Sequence, residues 1–262
     1  MAIADVNGQR IGYSDSGGDG PAVIFSHGFL MDRTMFNHQV AFLAGSYRCI
    51  TWDERCFGET VTDESFSYWD SAADAVALLD HLDVDEAVFV GMSQGGFLSM
   101  RAALADPSRV KALCLIDSQA GVEAEEAAPG YAAMLAHWNS DEPLGDVGDF
   151  VAGLILGEPS IMATWLEIWA ARDRSTIVLA GEALLSRDDI TDRLGEITCP
   201  VLSIHGEADQ AIDISLAESL QDAVQDGRGL VRVPGAAHAP NMSHPEIVNP
   251  ALASFLAEVT AS

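Results

Sequence analysis

The sequence predicts an α/β architecture, a mostly parallel eight-stranded sheet flanked by helices with a helical segment inserted late in the chain, and three observations carry that expectation. Short continuous apolar runs alternate with stretches of helical spacing, the pattern of strands buried on both faces and joined by right-handed crossovers. The alternation stops after Asp117 and resumes at Val201, and between about Ala120 and Ser186 only helical patterns occur. With 262 residues, 48% of them hydrophobic, the chain can bury one large core.

Taken in order, Asn7-Gly8 between two short alternating segments reads as a hairpin turn, and Ala22–Ser26 as a third, buried strand. Helical spacing follows over 32–44, strand character over 47–52, helix over 68–82, strand over 87–90, helix over 95–105 and strand over 110–116. In the insertion Pro129, Pro143 and Pro159 stand where helices would begin, because proline suits a first helical turn. Strand 201–205, helix 214–224, strand 230–233 and helix 245–258 restore the alternation. The expected division is a core of residues 1–119 and 187–262 around a helical cap of 120–186, with the acidic run 123–128 as a flexible approach to it. There is no internal repeat and no low-complexity linker.

Composition excludes several functions. Thirteen basic against 40 acidic side chains leave a formal charge of −27, and the basic ones are twelve arginines and the single Lys111, nowhere clustered. Such a surface cannot neutralise a row of phosphates, so nucleic acid is excluded as a partner. It repels anionic headgroups, and no apolar run approaches the ~20 residues that span a bilayer, so no membrane partner is expected. Residues 1–10 lack the basic start, apolar middle and cleavage site of a secretory signal, and the chain reads as cytoplasmic. Cys49, Cys56, Cys114 and Cys199 are widely separated and form no Cys-x-x-Cys pair, which predicts reduced, mostly buried thiols. With neither a phosphate-cradling glycine loop nor a metal-ligand cluster, no cofactor and no metal are expected. An acidic, lysine-poor surface suits high salt and equally reflects genome composition, and nothing in the sequence specifies an oligomeric state.

The chemistry begins at Gly91-Met92-Ser93-Gln94-Gly95, between an expected strand and an expected helix. A sharp turn there points the Ser93 hydroxyl outward, and close chain approach favours glycine two residues either side. A serine hydroxyl is a weak nucleophile and needs a histidine base held by a carboxylate. Both follow in order: Asp209 in His205-Gly206-Glu207-Ala208-Asp209, after a strand, and His238 in the loop Pro234–Pro240, after the next. The chain order Ser93, Asp209, His238 matches the order expected for such a site on this architecture.

These motifs together resemble a serine hydrolase of the α/β-hydrolase superfamily, of the compact helical-cap kind. Besides the serine turn, the matching residues are Ser26-His27-Gly28-Phe29, Trp52-Asp53-Glu54-Arg55-Cys56-Phe57-Gly58, Pro200 to Gly206 with Asp209, and Gly235-Ala-Ala-His238, and they span nearly the whole chain. The resemblance implies an oxyanion hole formed by the backbone N–H groups of Phe29 and Gln94. It assigns the base to His238, leaving His27 to shape the oxyanion loop and His205 a structural part. Asp117 is a second candidate for the acid, at a position where some members of that family carry it. Cys56 departs from the pattern, which usually has glycine there. His38, His81, His137 and His244 lie on or beside expected helices without a carboxylate motif, as packing or surface residues do.

The insertion selects the substrate. Met134, Leu135, Trp138, Ile155, Met162, Trp165 and Trp169 recur at helical spacing, and with Phe29, Leu30, Met31 and Met92 they are candidates to wall an apolar pocket, some serving instead to pin the insertion to the core. Hydrolysis of a carboxylic ester or lactone of a small, neutral, largely apolar substrate through an acyl-enzyme at Ser93 is the first reading. C–C bond hydrolysis, perhydrolase or haloperoxidase-like chemistry and aminopeptidase action use the same three residues and remain open. A hydrolase-derived ligand receptor is the alternative without turnover. Epoxide or haloalkane hydrolysis would require aspartate at position 93.

Overall fold

The computed structural model describes residues 1–122 and 125–261. The first two strands, β1 (Ala2–Val6) and β2 (Gln9–Asp15), form an antiparallel hairpin closed by Asn7 and Gly8, both at positive φ (49° and 75°), the backbone that a twist-matched two-residue turn demands. β2 pairs antiparallel with β4 (Arg48–Trp52), and from there the sheet is parallel. β3 (Ala22–Ser26), β5 (Ala87–Met92), β6 (Val110–Ile116), β7 (Val201–Gly206) and β8 (Gly227–Val233) complete the order β1-β2-β4-β3-β5-β6-β7-β8.

Strand side chains alternate between two buried clusters. Val23, Phe25, Val88, Val90 and Met92 face α1 (Asn37–Leu43) and α10 (Pro245–Thr260), whereas Ile24, Phe89, Leu113 and Leu115 face α2 (Tyr68–His81) and α3 (Gln94–Ala105). Burial on both faces explains why these strands are almost wholly apolar. Helix α2 starts where the Ser67 hydroxyl and the Asp70 carboxylate cap one another's backbone, a reciprocal box that satisfies N–H groups the helix itself leaves free.

Between β6 and β7 the described residues contain helices and no strand: α4 (Ala128–Trp138), α5 (Gly145–Ile155), α6 (Pro159–Ala171) and α7 (Ile177–Leu185). Pro129 and Pro159 sit in first turns, while Pro143 precedes its helix by two residues. Of the expected flexible approach, residues 123 and 124 lie outside the described ones, and Glu125–Ala127 forms a 3₁₀ turn.

Most boundaries differ from the sequence reading by a residue or two, and a few differences have a visible cause. The helix expected over 32–44 opens as a 3₁₀ turn, Arg33–Phe36, because Asp32 accepts the Thr34 N–H at 2.7 Å. β8 begins at Gly227, earlier than its apolar run, since pairing with β7 extends through Gly229, whose φ of 94° no apolar periodicity reports. A short helix, α9 (Pro240–Ser243), precedes α10, started by Pro240. α8 (Ile214–Ala223) ends one residue sooner than expected.

Candidate active site

The backbone at the end of β5 is strained in one place. Ser93 has φ 51° and ψ −115°, and α3 starts at the next residue. Glycine is required on both sides: a Cβ on Gly91 would lie 2.2 Å from the Gly95 carbonyl oxygen, and one on Gly95 would lie 2.0 Å from that of Ser26. The Ser93 N–H donates to Ile116 O at 2.8 Å, and its carbonyl accepts from Gly96 N–H at 2.8 Å and the Ser118 hydroxyl at 2.9 Å. These bonds fix a backbone that a free chain would avoid. The side chain stands at the amino end of a twelve-residue helix, where the dipole favours developing negative charge.

Asp209 follows β7 and His238 follows β8, and the two meet: His238 Nδ1 donates to Asp209 Oδ2 at 2.7 Å. That bond leaves Nε2 as the free face of the ring. Ser93 and His238 both line one cavity of about 820 Å³ between the core and the insertion. Burial opposes the Asp209 charge, but the hydrogen bond from His205, the charge and hydrogen bond of His238 and the Ala211 N–H outweigh it, holding this carboxyl below the usual range. Its second oxygen, Oδ1, accepts the Ala211 and Ile212 N–H groups at 2.7 and 3.3 Å.

Asp117, the second candidate acid, is also buried and lies behind Asp209. Its Oδ1 accepts the Gly206 N–H at 3.0 Å, and burial with the neighbouring Asp209 charge pushes its pKa well up. His205 is wedged between the two, its Nε2 2.9 Å from Ile212 O, 3.3 Å from Asp209 Oδ2 and 3.6 Å from Asp117 Oδ1. These three residues bring ligand-type atoms within 4.8 Å of one another. The His205 Nε2–H faces both the Ile212 carbonyl and Asp209 Oδ2, while Asp209 also accepts from His238, so His205 supports the Asp209 carboxylate from behind.

The opposite wall is the loop after β3. His27 is buried, its Nδ1–H donates to Gly28 O at 2.8 Å and its Nε2 accepts the Glu54 N–H at 3.0 Å; burial lowers its pKa, and the ring bolts this loop to the turn after β4. Neither the Phe29 nor the Gln94 N–H has a protein acceptor among the described residues. The Gln94 side chain is held from behind, donating to Glu54 Oε2 at 2.9 Å and accepting from the Tyr68 hydroxyl at 3.1 Å. Cys56 occupies φ 73°, which is why glycine is usual at such a position, and burial pushes its thiol up to about 12, so it is no thiolate near neutrality.

The pocket-wall expectation needs correction. Leu30, Met92, Met134, Phe29 and Ile155 line the cavity, but Met31, Trp138, Met162, Trp165, Trp169 and Leu135 do not. The tryptophans are packed on one another instead, Trp169 with ring centroids 5.2 Å from Trp138 and 6.3 Å from Trp165, and the Trp169 indole donates to Leu30 O at 2.8 Å. They fix the insertion to the loop after β3. The wall is completed by residues the sequence did not single out, among them Tyr131, Val147, Phe150, Leu154, Ile212 and Leu216. Apart from Ile212, which precedes α8, they lie on α4, α5 and α8, and helical spacing does not say which apolar face meets the core.

Comparison with known proteins agrees with this architecture. The chain is 30% identical to a non-heme chloroperoxidase of Streptomyces lividans, over 97% of this chain and 98% of that protein. It is 27% identical to 3-oxoadipate enol-lactonase 1 of Acinetobacter baylyi, over 86% and 85% of the two chains. A thermophilic esterase from Thermogutta terrifontis shares the fold with a TM-score of 0.90 at 24% identity, covering 99% of each chain. The sequence model for the alpha/beta hydrolase fold matches residues 21–245, from the third strand to the last helix, and the chain belongs to that family.

Proposed function

We propose that the protein is a serine hydrolase that cleaves a carboxylic ester or lactone of a neutral, largely apolar substrate through an acyl-enzyme on Ser93. The observation that carries this reading is that Ser93 and His238 face one apolar cavity while Asp209 holds the far nitrogen of the His238 ring at 2.7 Å. Ser93 Oγ attacks the carbonyl carbon as His238 Nε2 takes its proton, and Asp209 holds the ring in the tautomer that leaves Nε2 free to accept it. The Phe29 and Gln94 N–H groups receive the oxyanion, each such donor being worth ~3 kcal/mol in the transition state. His238 then gives its proton to the leaving alcohol, and water repeats the sequence on the acyl group. No lysine or arginine lines the cavity among the described residues, and Asp146 is its one acidic side chain, which supports a neutral substrate over a carboxylate. That argues against the anionic lactone named for the Acinetobacter relative.

The relative named a chloroperoxidase favours a second reading, in which hydrogen peroxide replaces water as the acyl acceptor, so that the acyl–serine bond breaks to give a peracid and free Ser93. No helix among the described residues is long and apolar enough to cross a membrane, and four free thiols support a reducing, cytoplasmic setting.

The test is turnover of a small activated ester. Sustained release, lowered at least about a thousandfold in Ser93→Ala, is expected of an enzyme. A single slow burst would mark a ligand receptor, and more than a tenth of the activity surviving in Ser93→Ala would remove Ser93 from the mechanism.

A further inference from the structure

The cavity, about 820 Å³, is much larger than a carbonyl group and its two substituent atoms need, and its lining is mostly apolar. Its walls include α4 and α5 of the insertion and the segment after β7 that leads into α8. Three of its lining residues are large hydrophobics that are strongly exposed: Phe150 at 70%, Val122 at 44% and Leu216 at 41%. Single exposed apolar residues need no explanation, but these come from three different parts of the chain and line one cavity. They do so on a protein of charge −27, whose field disfavours an anionic headgroup surface there. The lining includes Met92 next to the serine, Val151 and Leu154 on α5, and the exposed Phe150.

We propose that this channel is a tail subsite: the substrate carries an unbranched aliphatic chain that lies along α5 with its end gripped by the collar of Phe150, Leu216 and Val122. The proposal rests on the ester or lactone reading above and narrows it to chains long enough to reach the collar. A short substrate fills only the end near Ser93 and leaves the collar in water. A chain that reaches it exchanges water on both surfaces for apolar contact, and each methylene so buried strengthens binding by about fourfold. The tail belongs to either side of the ester bond, since both the acid and the alcohol portion pass Ser93.

The experiment uses the intact protein and two series of soluble esters below their micelle concentrations: p-nitrophenyl acetate, butyrate and octanoate for the acyl side, and butyl and octyl acetate for the alcohol side. In one arm kcat/KM should rise by on the order of tenfold or more from the four-carbon to the eight-carbon member. The arm that rises assigns the tail to acyl or alcohol. In the double variant Phe150→Ser/Leu216→Ser the eight-to-four ratio should fall to within about threefold of unity. The ratio is internal to each protein, so a loss of folded fraction cancels from it. Calorimetric titration with butan-1-ol and decan-1-ol reads the same subsite without turnover: decanol should bind at least tenfold more tightly to the wild type, and the variant should lose that preference. Flat series in both arms with no decanol preference, or a ratio unchanged in the double variant, would overturn the tail subsite. Decanol selectivity that the variant loses, with no ester turned over at all, would uphold the subsite and overturn the hydrolase reading instead.

Discussion

Asp117 and Asp209 stand at the ends of the neighbouring strands β6 and β7, one on each side of His205, and their surroundings drive them in opposite directions. Asp209 accepts from His238 and from two backbone N–H groups, which keep it ionised, whereas Asp117 has one backbone donor and an Oδ2 with no partner among the described residues. A triad acid must be an anion to hold its imidazole, so Asp209→Asn is expected to lower kcat at least about a thousandfold while Asp117→Asn keeps most of the activity. Exchanged phenotypes would move the acid to β6. The same Asp117→Asn variant has a pH signature. The folded-state pKa of Asp117 lies above its unfolded value of 3.8, because burial and the Asp209 charge disfavour the anion. Above that value the unfolded chain ionises and the folded chain does not, so this residue costs stability as pH rises. Asparagine does not titrate, and the Tm of the variant relative to wild type is therefore expected to climb as pH rises above about 4, by ~2–4 °C for each kcal/mol removed. A difference independent of pH would mean that Asp117 is ionised in the fold.

Among the elements, the loop after β3 and helix α6 act as a pair. Leu30 sits at φ 67°, a left-handed conformation that leucine disfavours, and its carbonyl is held by the Trp169 indole at 2.8 Å. Beside it the Arg172 guanidinium pairs with Asp32, which caps the turn that follows. The insertion thus braces the segment that presents the Phe29 N–H. Trp169→Phe keeps the ring packing and removes only the donor, so kcat is expected to drop by on the order of tenfold with KM changed little. A rise in KM with kcat intact would instead make Trp169 part of substrate binding. That bond also shows where sequence reasoning stopped. Gly91, Ser93 and Gly95 were legible because a backbone clash dictates them, and the strands because burial on both faces leaves no polar option. The cap residues were not, because Trp165 and Trp169 on α6 and Val147 and Phe150 on α5 have similar helical spacing. Only packing decides that Trp169, packed with Trp165, is locked against Leu30 while Val147 and Phe150 face the cavity.

At the scale of the molecule, the charge of −27 and a cavity lined by no lysine or arginine among the described residues act in the same sense. A field of that sign slows anions, and salt screens it over a Debye length of ~10 Å at 0.1 M. For two esters differing only in a terminal carboxylate, kcat/KM of the neutral one should barely respond to ionic strength and that of the anionic one should rise. A carboxylated ester preferred at low salt would reveal a local basic contact, with Arg33, Arg55, Arg172 and Arg174 the groups to test. The chain also offers nucleophiles other than Ser93, four of them free thiols, and burial raises every one: Cys49 and Cys199 to about 11, Cys56 to about 12 and Cys114 further still. At neutral pH they remain thiols, which leaves Ser93, on the cavity it shares with His238, as the proposed nucleophile. Reaction with a fluorophosphonate, in which an activated oxygen displaces fluoride from phosphorus, tests this most directly when followed by intact-mass and peptide mapping. One phosphonyl group per chain, carried by the peptide that contains Ser93 and formed in step with loss of esterase activity, is the expected result; activity lost with the adduct on any other residue, or esterase turnover that survives full modification of Ser93, would contradict it.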